Sequence, residues 1–316
     1  MSLAASYDRC RSLHREHGRT YYLATRLLPS WKRRHVHALY GFTRYTDDIV
    51  DTLYPGASGR KSSDDRAERL EAWIERFRSS LAGPCVMDDP ILPAVVHTVA
   101  VFGLDRGDFD AFLASMRMDL TTSEYADYED LLRYMEGSAA VIGTMMLPIL
   151  MADAPPALAA KPACDEEATR ESARQLGLAF QLTNFIRDVA EDFSRGRVYL
   201  PQADLAKFGV TRDDLAADSA TPELRELVAF EIERARRHYA LAEQGFAHLP
   251  QRSRRCIRVA FAVYGRILDE IERADHDVLA GRVSVPTWQR VGTAVRELTR
   301  QREIHVTACS CCLAEG

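Results

Sequence analysis

The chain has no apolar run long enough for an ordinary membrane span. Its longest apolar stretch, residues 138–152, is shorter than the about 20 residues that a spanning helix needs, and it contains Pro148. We therefore expect a buried core helix there, with peripheral contact with a membrane left open. Basic residues form no stripe either, because the 41 Lys and Arg are interspersed with 46 Asp and Glu. That distribution argues against a nucleic-acid partner.

The cysteines of this sequence form no recognisable disulfide framework. There are seven, an odd number, and Cys309, Cys311 and Cys312 crowd the end of the chain. The first 18 residues are polar and charged, unlike a secretory signal, so we expect a cytoplasmic protein with reduced thiols. Residues 306–316 are predicted to be a disordered, cysteine-containing tail outside a folded unit of 1–305. The G-x-G-x-x-G fingerprint of nicotinamide-binding proteins is also missing, so no nicotinamide cofactor is expected.

Helical periodicity dominates the chain, and no run alternates as a half-buried strand would. Breaks are predicted where Gly and Pro cluster, at 54–56, 83–84, 154–156, 221–222 and 285–286. Only 153–165 resembles a linker, and one acidic motif lies on each side of it, so we expect an all-α single domain. The predicted helices cover 3–17, 20–27, 31–52, 65–82, 90–102, 106–121, 128–151, 166–193, 222–246, 252–280 and 287–305.

The first acidic motif is Asp-Asp-Ile-Val-Asp at 47–51. At about 100° per residue, Tyr40, Arg44, Asp47 and Asp51 share one helical stripe, with Asp48 at its edge. Three acids within five positions repel one another, which a bound cation would relieve. A solvated acidic face is the alternative interpretation.

The second motif is Asp-Val-Ala-Glu-Asp at 188–192. Gln181, Asn184, Asp188 and Asp192 share one stripe of an otherwise apolar helix, and Arg187 can reach its edge. A polar ladder of this kind lines a cavity or forms a buried, hydrogen-bonded seam. Two carboxylate faces on two helices are what is needed to hold Mg²⁺ ions around a diphosphate.

A basic segment, Arg-Gly-Arg-Val-Tyr-Leu-Pro, follows the second motif at 195–201. Its glycine and arginines predict a mobile flap beside the acids, able to pair with phosphate oxygens. An ordinary exposed loop is the alternative.

Together these motifs resemble the squalene/phytoene synthases, head-to-head prenyltransferases with the all-α class I isoprenoid (terpenoid) synthase fold. The resemblance extends from about residue 7 to residue 285 and predicts helices around a central cavity. Glu136 departs from the family pattern, where relatives often carry an aromatic or small residue. The matching segments are 17–29, 38–51, 118–120, Tyr134 with 137–143, 181–192 and 196–201.

The resemblance is strongest to the bacterial phytoene synthases, chiefly in 137–143. It implies a Mg²⁺-dependent condensation of two geranylgeranyl diphosphates, via prephytoene diphosphate, to phytoene for carotenoid biosynthesis. Mn²⁺ is a substitute for Mg²⁺, and prenyl diphosphates are the expected partners. A farnesyl-diphosphate user making squalene, presqualene diphosphate or dehydrosqualene is the first alternative. A non-catalytic assembly relative should have lost acids, and a terpene cyclase fits the second motif less well.

The same resemblance implies a role for each matching side chain. Asp47, Asp51, Asn184, Asp188 and Asp192 would hold the metal ions, and Asp48 would support the first cluster. His17, Arg44, Arg187, Arg197 and Arg282 would contact phosphate. The cavity would be lined by Tyr21, Tyr40, Tyr134, Phe180, Gln181, Tyr199 and Tyr264. The residues expected to act in catalysis are Asp47, Asp48, Asp51, Asp188, Asp192, Tyr40, Arg44 and Arg187.

Overall fold

The computed structural model describes residues 1–51, 63–83, 88–155 and 166–312, with the side chains of the last helix described up to residue 299. The predicted break at 54–56, Pro84 and most of the predicted linker 153–165 lie outside these residues. The described part of the chain is helical, with a single isolated bridge between Glu124 and Val198. The all-α prediction is confirmed.

Helices follow one another along the described chain with short connections. They are α1 Leu3–His17, α2 Arg19–Thr25, α3 Ser30–Asp51, α4 Ser63–Ala82, α5 Leu92–Phe102, α6 Arg106–Met118, α7 Tyr128–Met135, α8 Val141–Met151, α9 Glu166–Arg187, α10 Val189–Ser194, α11 Gln202–Phe208, α12 Arg212–Leu215, α13 Pro222–Glu243, α14 Gln251–Arg273 and α15 Thr287–Cys312.

Two of the predicted helices are interrupted. A single helix was expected over 128–151, but a π-helical turn at Glu136–Ala140 separates α7 from α8. At Gly137 in this turn, a Cβ atom would lie 2.5 Å from the carbonyl oxygen of Ala111 on α6. The absence of a side chain there allows the turn to pack directly on α6.

The second interruption falls at the second acidic motif. Asp188 leaves helical geometry, with φ −102° and ψ 16°, and so separates α9 from α10. The hydrogen bonds nevertheless continue, from Asp188 N to the Asn184 carbonyl (2.9 Å) and from Asp192 N to the Asp188 carbonyl (2.8 Å). The two acids therefore keep the spacing predicted for one helix.

Helix α9 is the central element of the fold, packing against α8, α13 and α14. Its contact with α8 and with the π-helical turn before α8 is very close, because Gly143 and Gly177 face backbone. A Cβ at Gly143 would lie 2.1 Å from the Ala173 carbonyl oxygen, and one at Gly177 2.3 Å from that of Ala139. These glycines set the distance of α9 from α8 and from the π-helical turn.

The apolar run predicted to be a core helix is buried, with Ala139, Met145 and Ile149 all at most 5% exposed. The expectation that no run is long enough for a span was wrong by length and composition alone. Within the described residues, Tyr128–Met151 is the one stretch long and apolar enough to cross a membrane, and 67% of its most apolar window is buried inside the protein.

The backbone of α15 continues to Cys312, beyond the predicted start of a tail at 306. Residues 313–316 lie outside the described part of the chain. The disordered tail therefore stays a prediction.

Candidate active site

Both acidic motifs line one cleft, with a volume of about 1340 Å³. Helix α3 brings the first motif to it, and α9 with α10 brings the second. Every side chain that the sequence singled out for the site borders this cleft except Phe180, which lies deeper. The residues so placed are His17, Tyr21, Tyr40, Arg44, Asp47, Asp48, Asp51, Tyr134, Gln181, Asn184, Arg187, Asp188, Asp192, Arg197, Tyr199, Tyr264 and Arg282.

In the first motif, Asp47 lies partly buried at the base of the cleft. Burial, reinforced by the nearby Asp51 carboxylate, raises the pKa of Asp47 well above its usual range. Arg44 does not offset this with a direct bond, because its guanidinium donates to Asp48. The motif thus contains a carboxylate whose negative charge is poorly compensated by the protein.

In the second motif, Asp188 accepts hydrogen bonds from two arginines. Arg187 Nε lies 2.8 Å from its Oδ1, and Arg282 Nε lies 3.0 Å from the same oxygen. Burial and the adjacent Asp188 raise the pKa of Asp192 to about 7. Like Asp47, Asp192 is therefore an acid whose negative charge the neighbouring basic side chains do not fully compensate.

The polar ladder that precedes these acids is hydrogen-bonded and also faces the cleft. Asn184 Nδ2 donates to Gln181 Oε1 (3.4 Å), and the Tyr264 hydroxyl donates to Asn184 Oδ1. Both alternatives considered for this helix, a hydrogen-bonded seam and a lined cavity, therefore describe the same face.

The loop after α10 connects the two motifs. Arg197 Nη1 lies 2.9 Å from Asp51 Oδ1, so the loop reaches across the cleft to α3. Its backbone is tied on both sides, by Arg197 N to the Asp192 carbonyl (2.9 Å) and Val198 N to the Ser123 carbonyl (2.8 Å). These bonds place Arg197 beside the acids, and the mobility of the flap stays a prediction.

A further acid in the cleft was given no role by the sequence. Asp119 caps the end of α6, and its Oδ2 accepts a hydrogen bond from the Tyr134 hydroxyl (2.8 Å). Its Oδ1 is buried and has no hydrogen-bond partner among the described residues. Burial raises the pKa of Asp119 to about 6. Its position in the matching segment 118–120 was the only signal in the sequence.

The donor set of the cleft fits a divalent cation of the Mg²⁺ type. Carboxylate and amide oxygens are the ligands that this ion prefers. The raised pKa values of Asp47 and Asp192 arise partly from neighbouring carboxylates, and a bound cation would relieve that repulsion. In the described part of the chain, no three acidic, His or Cys side chains already converge as a formed metal site. Arginines bond directly to Asp48, Asp51 and Asp188.

An apolar tunnel of about 330 Å³ continues from the cleft into the core. Cleft and tunnel share Tyr21, Tyr40, Asp47, Gln181 and Asn184, so Asp47 stands at the tunnel entrance. At this junction Tyr21 stacks on Tyr264 with ring centroids 4.9 Å apart. The tunnel then follows one face of α9, lined there by Thr169, Ser172, Ala173, Leu176, Gly177 and Phe180.

Solved structures with this fold define the general class. A dehydrosqualene synthase superposes with a TM-score of 0.82 at 24% identity, covering 95% of this chain and 98% of that one. A squalene synthase from Alicyclobacillus acidocaldarius gives a TM-score of 0.73 at 27% identity, over 87% and 95% of the two chains. The fold is the expected all-α isoprenoid synthase fold.

The family follows from sequence. The family model for squalene/phytoene synthases matches residues 14–289, and the chain belongs to that family. A phytoene synthase of Arthrospira platensis is 39% identical over 288 residues, which is 90% of either chain. A 15-cis-phytoene synthase of Synechococcus elongatus is 34% identical, over 92% of this chain and 91% of that one.

Proposed function

We propose that this protein is a phytoene synthase, which condenses two molecules of geranylgeranyl diphosphate head to head. The observation that carries the proposal is the junction of a cleft rich in acids and arginines with a buried apolar tunnel. The cleft suits diphosphates, and the tunnel suits a prenyl tail. The similarity to named phytoene synthases over about nine-tenths of the chain supports the same function.

The length of the tunnel favours a C20 substrate. Its lining runs along α9 from Asn184 to Thr169, which is about 22 Å at about 1.5 Å per residue. A staggered geranylgeranyl tail, with about 16 carbons in its main chain, spans about 20 Å. A farnesyl tail would span only about 15 Å and leave the far end empty.

The residues that would hold Mg²⁺ are Asp47, Asp51, Asn184, Asp188 and Asp192, with Mn²⁺ as a substitute. When bound, the ions would neutralise the diphosphate and make it a better leaving group. The arginines would pair with phosphate oxygens beside the ions, and the contacts of Arg197 with Asp51 and of Arg282 with Asp188 support this role.

The aromatic junction would protect the cation that forms when the C–O bond breaks. Tyr21, Phe180 and Tyr264 lie within 5.4 Å of one another there, measured between ring centroids. Ring faces stabilise positive charge by about 0.5–2 kcal/mol each and exclude water. The double bond of the second substrate attacks this cation, and proton loss closes a cyclopropylcarbinyl diphosphate. Ionisation of that intermediate, rearrangement and loss of a second proton give the C40 triene, with no hydride required.

We further propose a cytoplasmic protein that touches a membrane surface, because the product is a C40 hydrocarbon. Trp288, Val291 and Val295 form an exposed apolar stripe on α15. Arg296, on the same helix, is also exposed. An exposed apolar stripe on a helix that also carries an exposed arginine suits the interface of an anionic membrane.

Product analysis by mass tests the proposed function. The protein is incubated with C15 or C20 diphosphate, each with Mg²⁺ or excess chelator, and with and without NADPH. We expect phytoene from the C20 substrate, independent of NADPH and abolished by the chelator. Asp188→Asn should lose turnover, whereas Asp110→Asn, an exposed acid on α6, should not. C30 products as the main outcome, or full activity in chelator, would contradict the proposal.

A further inference from the structure

The apolar tunnel ends where the helices that line it turn polar. On α3, the tunnel-facing positions are Val36, Tyr40, Thr43 and Asp47. One turn before Val36 on the same stripe stands Lys32, which does not line the tunnel and is only 2% exposed. The stripe therefore changes from apolar to cationic at the far end of the tunnel from the acids.

Helix α14 shows the same change. Its tunnel-facing positions are Cys256, Ile257 and Ala260, and one turn earlier stands Ser253, which is completely buried. On α8 the last tunnel-facing residue is Leu150, one residue before the helix ends. The tunnel-facing rows of α3 and α14 thus become polar, and α8 ends, at one level.

These three ends are joined by hydrogen bonds. Lys32 Nζ donates to the Leu150 carbonyl oxygen (2.8 Å) and to Ser253 Oγ (2.8 Å), and Ser253 Oγ donates to the same carbonyl (2.6 Å). We call Lys32, Ser253 and the Leu150 carbonyl the plug. Because Leu150 lines the tunnel and Lys32 and Ser253 do not, the plug closes the tunnel from behind.

A buried ammonium group needs a reason, since its burial is costly. Burial lowers the pKa of Lys32 to about 8. The cleft does not use Lys32, and an apolar residue of similar volume would pack at this position without that cost. What the ammonium adds is a barrier that hydrocarbon does not cross, because a chain tip that displaced it would leave the carbonyl and the hydroxyl with fewer partners.

We propose that the plug sets the upper limit on prenyl chain length, so that Lys32 and Ser253 are specificity-determining residues for the reaction. The inference rests on the proposed function for the identity of the occupant, a prenyl tail. The diphosphate end of this substrate is fixed at the cleft, and the methyl end of its prenyl tail meets the plug.

The test compares substrates that differ by one isoprene unit. For wild type and Lys32→Ala, kcat/KM is measured with C20 and C25 prenyl diphosphates at saturating Mg²⁺, and products are weighed by mass spectrometry. We expect the C25/C20 ratio to rise at least about tenfold in Lys32→Ala. Lys207→Ala, which removes an exposed lysine outside the tunnel, should leave the ratio unchanged.

Two further variants keep the proposal testable if Lys32→Ala does not fold. Lys32→Met removes the charge and keeps the volume, so it should fold and raise the ratio by a smaller factor. Cys256→Phe fills the tunnel in front of the plug and should lower the C20/C15 ratio. Folded variants whose ratios equal those of wild type would overturn the proposal.

Each variant is compared with the substrate ratio of the wild-type protein. The test of the plug can therefore fail or succeed independently of the proposed function. If the wild-type protein prefers C15 over C20, the C20 assignment fails, and the plug is then tested by the C20/C15 ratio of Lys32→Ala. An unchanged ratio in that case overturns the plug as well.

Discussion

Asp47, Asp119 and Asp192 have one property in common, a raised pKa caused first by burial. In Asp47 and Asp192, a neighbouring carboxylate is the next largest cause. Carboxylates of this kind attract cations, because a bound cation lowers the repulsion between the neighbouring negative charges. Asp119 differs in also holding a tyrosine: its Oδ2 is bonded to Tyr134, which packs in the aromatic group beneath the second motif.

We predict that Asp119→Asn lowers kcat by about 10- to 100-fold, because a buried group that orients site residues has effects of that size. The free energy of unfolding should stay the same or rise, since the change removes a buried charge with an unpaired oxygen. Steady-state kinetics and urea denaturation measure the two quantities. Asp110→Asn, on the same helix but exposed, is the control. A variant with wild-type kcat would remove Asp119 from the site.

Helical phasing in the sequence was sufficient to place the acids, the ladder and the arginines around one cleft. It was insufficient for their pairing: Arg44 shares a stripe with Asp47 and Asp51 but bonds to Asp48. It also missed Asp119, whose carboxylate enters the site from a helix end, where no periodic pattern marks it. The roles of all these residues stay predictions until they are measured.

At the scale of elements, the close contact of α8 and α9 depends on glycine. We predict that Gly143→Ala destabilises the protein by about 1–3 kcal/mol, because its methyl group must push two backbones apart. Gly292→Ala, in α15 where a Cβ would meet nothing within 4 Å, should instead stabilise by about 0.5–1 kcal/mol. Urea denaturation measures both. Equal effects of the two variants would show that the close contact between α8 and α9 does not affect the free energy of unfolding.

Element boundaries were predictable only where the chain itself marks them. Pro222 after Thr221 begins α13 as the sequence indicates, with the Thr221 hydroxyl accepting from Leu224 N. The π-helical turn and the break at Asp188 were not predicted, because the apolar pattern runs through both without change. Each is a local response to packing and to the site, which a one-dimensional pattern does not contain.

At the scale of the whole molecule, buried histidines couple stability to pH. Burial lowers the pKa of His14 to about 3 and those of His35 and His37 to about 4. Their pKa values in the unfolded chain are about 6.5, so the unfolded state binds more protons between about pH 6.5 and 4. The stability that these neutral histidines contribute is therefore complete above pH 6.5 and declines as the pH falls through that window. The raised pKa values of Asp119 and Asp192 act in the opposite direction, because these acids take up protons in the folded state.

We predict that each buried histidine lowers the free energy of unfolding by on the order of 1–2 kcal/mol between pH 7.5 and pH 5. Urea denaturation of wild type and variants at the two pH values measures this loss. His37→Gln should make this pH dependence shallower, whereas His248→Gln, at an exposed position, should leave it unchanged. A His37→Gln variant whose free energy of unfolding depends on pH as steeply as that of wild type would contradict the assignment.

The resemblance implied a central cavity and the aromatic residues at its entrance, but the walls of the tunnel were not predictable from the residue pattern. These walls are small and aliphatic side chains from α3, α8, α9 and α14, which look like ordinary core residues in the sequence. Whether such residues enclose a void depends on the distances between helices. Those distances follow from glycine contacts that only the folded chain shows.

One helix, α9, carries both the polar ladder at the cleft and the wall of the tunnel as far as Thr169. Inserting or deleting one residue between them would turn everything beyond it by about 100° and shift it by only about 1.5 Å. Lengthening the backbone is therefore a poor route to a different product, because it turns the wall away from the tunnel before adding useful length. In descendants of such a protein, new product sizes should arise through point substitutions, with the length of α9 kept constant.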